Sequence, residues 1–316
     1  MREIKTIGVF GAGKMGTGIA QLFATSGMPV YLWAFDEKEK ERAGQIVRDN
    51  LKPLQEHDVL GGQSIEEIVS RITITTDYDM VASKVDLAVE CILEKMDLKQ
   101  NFFKKLDSVT DTDVILCTNT SAMSVTEIFS TSEHKERLVG THFWNPPYLI
   151  PLVEVVKTEA TSDEAIDTVM KVMKAAGKEP CLCKKDVPGF IANRLQHALW
   201  REAISMVEKG IADPETIDKA CRTSFGLRLP YLPPLENSDL VGTQLTYDIH
   251  STVLKDLADN HEPSPILKQM IDEGKLGFRS EKKDGYHEGF MKYTDEEIAD
   301  INNGLNEYLI KMLYNK

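Results

Sequence analysis

Short apolar runs alternate with stretches of helical spacing through the first half of the chain. Residues 6–10, 30–34, 86–90, 114–118 and 138–142 read as strands, because each is a compact β-branched and aliphatic run bounded by turn residues. Between most of them, apolar residues recur every three or four positions, as in Ile19, Ala20, Leu22 and Phe23. Strands that alternate with helices predict stacked βαβ units, hence a doubly wound, mostly parallel sheet with helices on both faces. A longer excursion, about 37–83, separates the second strand from the third. It reads as two helices joined at Gly61 and Gly62, an insertion beyond a minimal crossover. Beyond Pro188 the pattern is helical throughout: Phe190, Ile191, Leu195, Leu199, Ala203 and Val207 share one face. The chain therefore divides into an α/β domain, 1–186, and a mainly α-helical C-terminal domain, 187–316, with Pro188 opening a long helix. Thr294 and Glu297 have the spacing of a capping box for a last helix carrying Ile298, Ile301, Leu305 and Leu309.

Composition narrows the class. The 316 residues are 42% hydrophobic and 28% charged, ordinary for a globular protein and long enough for two cores. No apolar run approaches the roughly 18 residues of a membrane span, so no membrane partner is expected. The first apolar stretch is also too short for a signal peptide, which predicts a cytoplasmic location. A formal charge of -13 repels nucleic acid. The five cysteines are odd in number, and Cys181 and Cys183 alternate like strand residues. They read as reduced structural thiols rather than a metal site.

Gly11, Ala12, Gly13, Lys14, Met15 and Gly16 follow the first strand and run into the first helical pattern. GxGxxG alone is common, but a strand before it and a helix after it make it a dinucleotide motif of the Rossmann type. Gly11 serves the tight turn, Gly13 lets backbone approach a pyrophosphate, and Gly16 lets helix and strand close up. The helix N-terminus then presents unpaired N–H groups to phosphate. The bland alternative is a glycine turn without a ligand. Asp36, twenty residues after Gly16, suits the ribose-binding acid of such sites. It could equally be a solvated carboxylate starting a charged helix. An acid there favours NAD, while Lys38 and Lys40 leave NADP open.

Asn119, Thr120 and Ser121 sit where the 114–118 strand ends, at the sheet edge where ligands collect. His142 ends the next strand. Twelve residues later Glu154 lies in the apolar run of Leu152, Val153, Val155 and Val156, where a carboxylate needs a partner. A His–Glu pair is a general base with its orientation fixed, suited to taking a proton from an alcohol. A satisfied structural pair fits the same spacing. His197, His250 and His261 have no comparable neighbour.

Taken in order, the segment from Gly11 to Gln21, Asn119 to Ser121, His142 to Pro146, Leu152 to Val155, and Pro188 to Arg194 resembles the L-3-hydroxyacyl-CoA dehydrogenase family. The resemblance spans nearly the whole chain. It implies a two-domain, NAD-dependent enzyme of fatty acid metabolism that oxidises a 3-hydroxyl to a 3-keto group, usually as a homodimer through its helical domain. Carried onto this chain, it implies His142 as base and Glu154 as its orienting carboxylate. Ser121 and Asn193 would hydrogen-bond the reacting oxygen or the base. Glu94 and Lys99, with Asn119 and Met15, match cofactor-contacting positions, though Glu94 and Lys99 alone would pass as surface charge. Ser121 could otherwise cap the following helix.

Two departures bear on specificity. The family's ribose-binding aspartate falls on Ala34, leaving Asp36 as its substitute. The segment Asn145 to Glu154 looks more like branches that act on free polar hydroxy acids, such as gulonate, carnitine or hydroxymethyl-pyridine carboxylate dehydrogenases. The excursion that helps hold coenzyme A in acyl-CoA enzymes carries only Lys52 within residues 51–58, whereas phosphates call for several cations. The substrate is therefore either a 3-hydroxyacyl-CoA or a small free hydroxy acid, with Arg222, Arg228 and Lys184 as candidate carboxylate partners. A third class is a non-catalytic, crystallin-like or NADH-binding protein. The joint presence of Ser121, His142, Glu154 and Asn193 speaks against it.

Overall fold

A computed structural model describes residues 2–314. The first stretch runs β1 (Ile7–Phe10), α1 (Lys14–Thr25), β2 (Val30–Trp33), α2 (Glu37–Glu56), α3 (Ile65–Ser70), β3 (Ile72–Thr75) and α4 (Tyr78–Ala82). It continues with β4 (Leu87–Glu90), α5 (Met96–Val109), β5 (Ile115–Thr118), α6 (Val125–Ile128), β6 (Leu138–Phe143), β7 (Leu152–Val156), α7 (Asp163–Ala175) and β8 (Glu179–Cys183). The remainder is α8 (Ala192–Glu208), α9 (Pro214–Thr223), α10 (Phe225–Arg228), α11 (Pro234–Val241), α12 (Thr243–Val253) and α13 (Pro265–Asp272). A small hairpin, β9 (His287–Glu288) with β10 (Lys292–Tyr293), precedes α14 (Asp295–Tyr314).

Strands β1 to β8 form one sheet in the order β3-β2-β1-β4-β5-β6-β7-β8. Every pairing is parallel except β6 with β7, which is antiparallel. Central strands are buried on both faces, so β1, β4 and β5 read as unbroken apolar runs. Successive residues feed opposite cores. Val9 joins Ile19, Phe23 and Leu32 on one side, while Phe10 joins Phe102, Phe103 and Leu116 on the other. This is the doubly wound α/β architecture the alternation predicts.

Two local expectations need correction. The excursion contains a third strand, β3, as well as its helices. Ile72, Thr73, Ile74 and Thr75 alternate in strand fashion, but the strand is four residues long, lies at the sheet edge and is only half buried. Pro188 does not open the long helix. Residues 188–191 form a turn in which Phe190 has φ +49°, and α8 begins at Ala192.

The chain divides into two compact units. One holds the chain up to Arg194 together with the segment from Asn306 onward; the other is Leu195–Leu305. The partition thus lies near residue 195, where the sequence pattern placed it at 187. The last helix opens with the expected capping box: Glu297 N–H donates to Thr294 Oγ1 at 3.2 Å, and Thr294 N–H to Glu297 Oε2 at 2.8 Å. It ends in the first unit, where Ile310 is buried in the α1-side core. No helix among the described residues is long and apolar enough to cross a membrane.

Candidate active site

The glycine turn leaves β1 at the carboxyl edge of the sheet. Gly11 has φ +110°, and a side chain there would lie 2.6 Å from the Cys91 carbonyl oxygen. A Cβ on Gly16 would stand 1.8 Å from the Gly11 carbonyl oxygen, so the turn closes only with glycine at both places. Gly13 differs: a Cβ there meets no protein atom within 4 Å. It caps α1 without a side-chain cap, and the first turn carries no acid. Open space in front of bare, positively polarised N–H groups fits a pyrophosphate. Met15 lies in that first turn, packed against the core.

Asp36 is exposed and extended, and its Oδ1 accepts the Glu39 N–H at 2.7 Å as the N-cap of α2. Ala34, two residues earlier, is fully buried. At the end of β4 the charges are not surface charges. Lys99 is 1% exposed, and its ammonium lies 2.6 Å from Glu90 Oε1 and 3.1 Å from Glu94 Oε2. Burial drives the Lys99 pKa down, but the two carboxylates outweigh it and hold the lysine charged. Glu94 reaches on to the next strand end, accepting from the Thr120 hydroxyl and, at 3.1 Å, from Ser121 N–H. Burial pushes its carboxyl up; these donors and Lys99 together keep it below the usual range. Glu90, wholly buried, also accepts from Thr118 Oγ1 at 2.7 Å and Ile92 N–H at 2.8 Å.

His142 and Glu154 face each other directly in the antiparallel β6–β7 pairing. Their side chains meet at 2.7 Å, Nδ1 to Oε2, with His142 5% and Glu154 0% exposed. Three more donors converge on the carboxylate: Trp144 Nε1 at 3.2 Å, Ile191 N–H at 2.8 Å and Ala192 N–H at 2.9 Å. Burial raises the Glu154 pKa, but these four donors reverse that and leave it below the ordinary glutamate value. An ionised carboxylate only accepts, so the His142 proton sits on Nδ1 and the Nε2 lone pair is the basic face. The turn at Phe190 supplies two of the donors. Its left-handed backbone aims successive N–H groups at Oε1, and its ring lies 5.7 Å from the imidazole.

Asn119 Oδ1 accepts the Phe143 N–H at 2.9 Å, tying the ends of β5 and β6 together. Asn193 Nδ2 donates to the Ser121 carbonyl oxygen at 3.2 Å, so these two positions also meet. Ser121 does not cap the next helix; Ser124 does, accepting from Glu127 N–H.

Two domain models match this chain in tandem. The 3-hydroxyacyl-CoA dehydrogenase NAD binding domain covers residues 6–187, and the C-terminal domain of the same family covers 189–293. The chain belongs to the 3-hydroxyacyl-CoA dehydrogenase family. Membership makes it an NAD-dependent dehydrogenase, and the cradle at Gly11, Gly13 and Gly16 fits that cofactor. Human mitochondrial hydroxyacyl-coenzyme A dehydrogenase is 36% identical over 297 residues, covering 92% of this chain and 91% of the relative. The 5-formyl-3-hydroxy-2-methylpyridine 4-carboxylate 5-dehydrogenase of Mesorhizobium japonicum is 30% identical over 294 residues, 93% of this chain and 92% of that one. A crystal structure of an enzyme of the latter kind, described as an NAD+ dependent dismutase, superposes with a TM-score of 0.89. It is 28% identical and covers 98% of this chain and 97% of its own.

Several members of the site carry no signal that sequence reasoning picks out. Trp144 and the 190–192 turn are invisible as Glu154 partners because their contribution is an indole or backbone N–H. Glu90 does carry a readable signal, a carboxylate closing the apolar run Leu87, Ala88 and Val89. Arg222, Arg228 and Lys184, considered as carboxylate partners, are all exposed side chains.

Proposed function

We propose that the protein interconverts a 3-hydroxyacyl compound and its 3-keto form, with His142 as general base. The observation that carries this is the buried His142–Glu154 pair, in which Glu154 is held ionised by four donors and leaves Nε2 as the acceptor. NAD, which the turn at Gly11, Gly13 and Gly16 would hold by its pyrophosphate, would supply the hydride acceptor for the carbon whose hydroxyl proton is lost. His142 Nε2 receives that proton and returns it in the reverse direction. Glu154 keeps the imidazole oriented and offsets its charge once protonated. Ser121 and Asn193 flank the reacting oxygen and fix its direction. Glu94, Lys99, Asn119, Met15 and Asp36 contact the cofactor, Asp36 through the oxygen its cap bond leaves over.

The first reading of the substrate is a coenzyme A thioester such as 3-hydroxybutyryl-CoA, the substrate class in the names of many relatives, and a role in fatty acid metabolism goes with it. A second reading, a small free hydroxy acid, is favoured by the cations of α2. Lys40 pairs with Glu37 at 3.0 Å, Lys52 with Asp49 at 2.7 Å, and Arg48 with Glu66, which leaves Lys38 and Arg42 as the remaining α2 cations for a nucleotide's phosphates. Initial rates with acetoacetyl-CoA and NADH, beside a panel of free hydroxy and keto acids, decide between them. A rate with acetoacetyl-CoA far above every free acid establishes the first reading; the reverse order establishes the second. No turnover with any of them, despite tight NADH binding, refutes both.

A homodimer through the helical unit is part of the same proposal. Helices α9–α13 bury no residue of their own, and Tyr231, Leu235, Leu240 and Tyr247 are more than 70% exposed. Apolar surface of that extent fits an obligate interface. Sedimentation at micromolar concentration checks it. A cytoplasmic site of action goes with this reading and is checked by fractionating the source cells.

A further inference from the structure

His142 and Trp144 stand two residues apart at the end of β6, so both point away from Phe143, which is buried in the α1-side core. Glu154, in register with His142 on β7, receives both of them. They meet at one atom. Oε2 accepts the His142 Nδ1–H at 2.7 Å and the Trp144 Nε1–H at 3.2 Å, while Oε1 is taken by the backbone N–H groups of Ile191 and Ala192. Three of these four donors have fixed protons, two being backbone amides and the third an indole, so the imidazole alone changes charge. Trp144 also lines that ring, their centroids lying 5.6 Å apart, with Phe190 at 5.7 Å. The other titratable groups round the pair are Cys181 and Cys183 on β8, Asp186 and Arg194 beyond it, and Glu94 beyond β5. Cys181 is exposed, and burial pushes the Cys183 thiol up. Ser124 and Thr126 hold Asp186, Arg194 bonds the Pro188 carbonyl oxygen at 3.4 Å, and Lys99 holds Glu94. Among the described residues, the indole is the side chain that shares an oxygen with the imidazole.

We propose that Trp144 is a positioning residue for the reaction: its N–H keeps the shared proton on His142 rather than Glu154, and sets the pH at which oxidation gives way to reduction. The inference rests on His142 as the general base. Once Nε2 takes the alcohol proton, the ring is an imidazolium whose Nδ1 proton faces Oε2. A second donor on that oxygen draws off part of its negative charge, with two effects. The oxygen competes less well for the Nδ1 proton, so the carboxylate stays ionised and the ring stays in one tautomer. It also supports the imidazolium less strongly, so the ring gives up its proton more readily. Oxidation of an alcohol needs the unprotonated ring, and reduction of the ketone needs the protonated one. The indole therefore widens the pH range of oxidation and narrows that of reduction. A phenyl group in its place packs against the imidazole but does neither.

The test compares wild type with Trp144→Phe and Trp144→benzothienylalanine, the latter keeping the shape of the indole without its N–H, and runs His142→Gln beside them. Rates are taken across pH with 3-hydroxybutyryl-CoA and NAD, and with acetoacetyl-CoA and NADH, or with the free acid pair that proves the better substrate. In both Trp144 variants the acid limb of kcat/KM for oxidation should move up by about half to one pH unit, and the alkaline limb for reduction likewise. On those limbs, at fixed pH, oxidation becomes about three- to tenfold slower and reduction faster by the same factor. Plateau kcat should stay within about threefold and the KM for NADH within about twofold. The free protein offers the same reading without turnover: the His142 ring nitrogens should titrate at higher pH in both variants. A merely structural indole lowers the plateau in both directions and moves no limb. That result, or limbs that move down, overturns the proposal. His142→Gln separates the two assignments. Turnover retained there removes the base, and the role of Trp144 falls with it; turnover lost there, with unmoved limbs in both Trp144 variants, rejects Trp144 alone.

Discussion

Replacing Glu154 with glutamine removes one acceptor from a carboxylate that has four donors and no solvent. Oε2 receives His142 and Trp144, and Oε1 receives the backbone N–H groups of Ile191 and Ala192. The amide keeps one oxygen and must turn its NH2 towards the other pair. Backbone N–H groups cannot change character, whereas the imidazole can move its proton from Nδ1 to Nε2 and accept from the amide instead. The oxygen therefore stays with Ile191 and Ala192, and His142 flips tautomer. Only the Trp144 indole is then stranded, at a cost of about 1–3 kcal/mol, which lowers the melting temperature by roughly 2–10 °C for a unit of this size. Function suffers more, because Nε2 now carries a proton and is no longer a base. A base held in the wrong tautomer costs about 10²–10⁴ in kcat. The assay is kcat for Glu154→Gln beside NADH affinity, with the His142 tautomer read from nitrogen chemical shifts. Turnover within about threefold of wild type, or a tautomer that stays Nδ1–H, refutes the reasoning.

Five other outcomes follow from the same geometry. His142→Gln should abolish turnover while NADH affinity stays within about twofold, since the imidazole is the base and not part of the glycine cradle; unchanged kcat sinks the assignment. Gly16→Ala should fail to fold or melt far lower, because its Cβ meets the Gly11 carbonyl oxygen at 1.8 Å. Gly13→Ala, with no atom within 4 Å, should melt like wild type yet bind NADH at least about tenfold more weakly. Lys178 is 4% exposed, donates to the Ile150 carbonyl oxygen at 2.7 Å, and burial pulls its pKa down to about 8. Its unfolded value is higher, so the unfolded chain binds more protons between the two and stability rises with pH above about 8. Lys178→Met should flatten that rise in urea titrations at pH 7.5 and 9.5. Glu154 has the same sign in the acid range: its lowered pKa contributes stability that is fully present above the unfolded glutamate value and is lost as pH falls and the folded pair is protonated. Glu154→Gln should therefore lose less stability on acidification than wild type.

The α/β alternation, the glycine turn and the His142–Glu154 pair are legible because each rests on side-chain identity at fixed spacing. Strand positions read from the chain fall within a residue or two of the structure, since unbroken apolar runs such as those of β1 and β4 suit little but a strand buried on both faces. The edge strand β3 escapes because half-buried Ile–Thr alternation over four residues is short for a strand signal. Pro188 mimics a helix start because the actual device, Phe190 with φ +49°, is a backbone conformation that no residue type announces. For the same reason two of the four donors on Glu154 are hidden. Lys99 looks like surface charge because its partners Glu90 and Glu94 come from outside its own helix. Only the fold brings the three together at 2.6 and 3.1 Å.

Helix α14 starts among the residues of the helical unit and finishes in the nucleotide-binding one, where Ile310 sits in the α1-side core and Glu307 meets His57 at 3.0 Å. The helical unit is thus an interruption within the other rather than an appendix to it. On the ribosome, the glycine cradle emerges first, but the core behind it closes only when residues near 310 are free of the exit tunnel. A substitution at Ile310 or Glu307 therefore acts on the nucleotide-binding unit, although the whole helical unit precedes it in the chain.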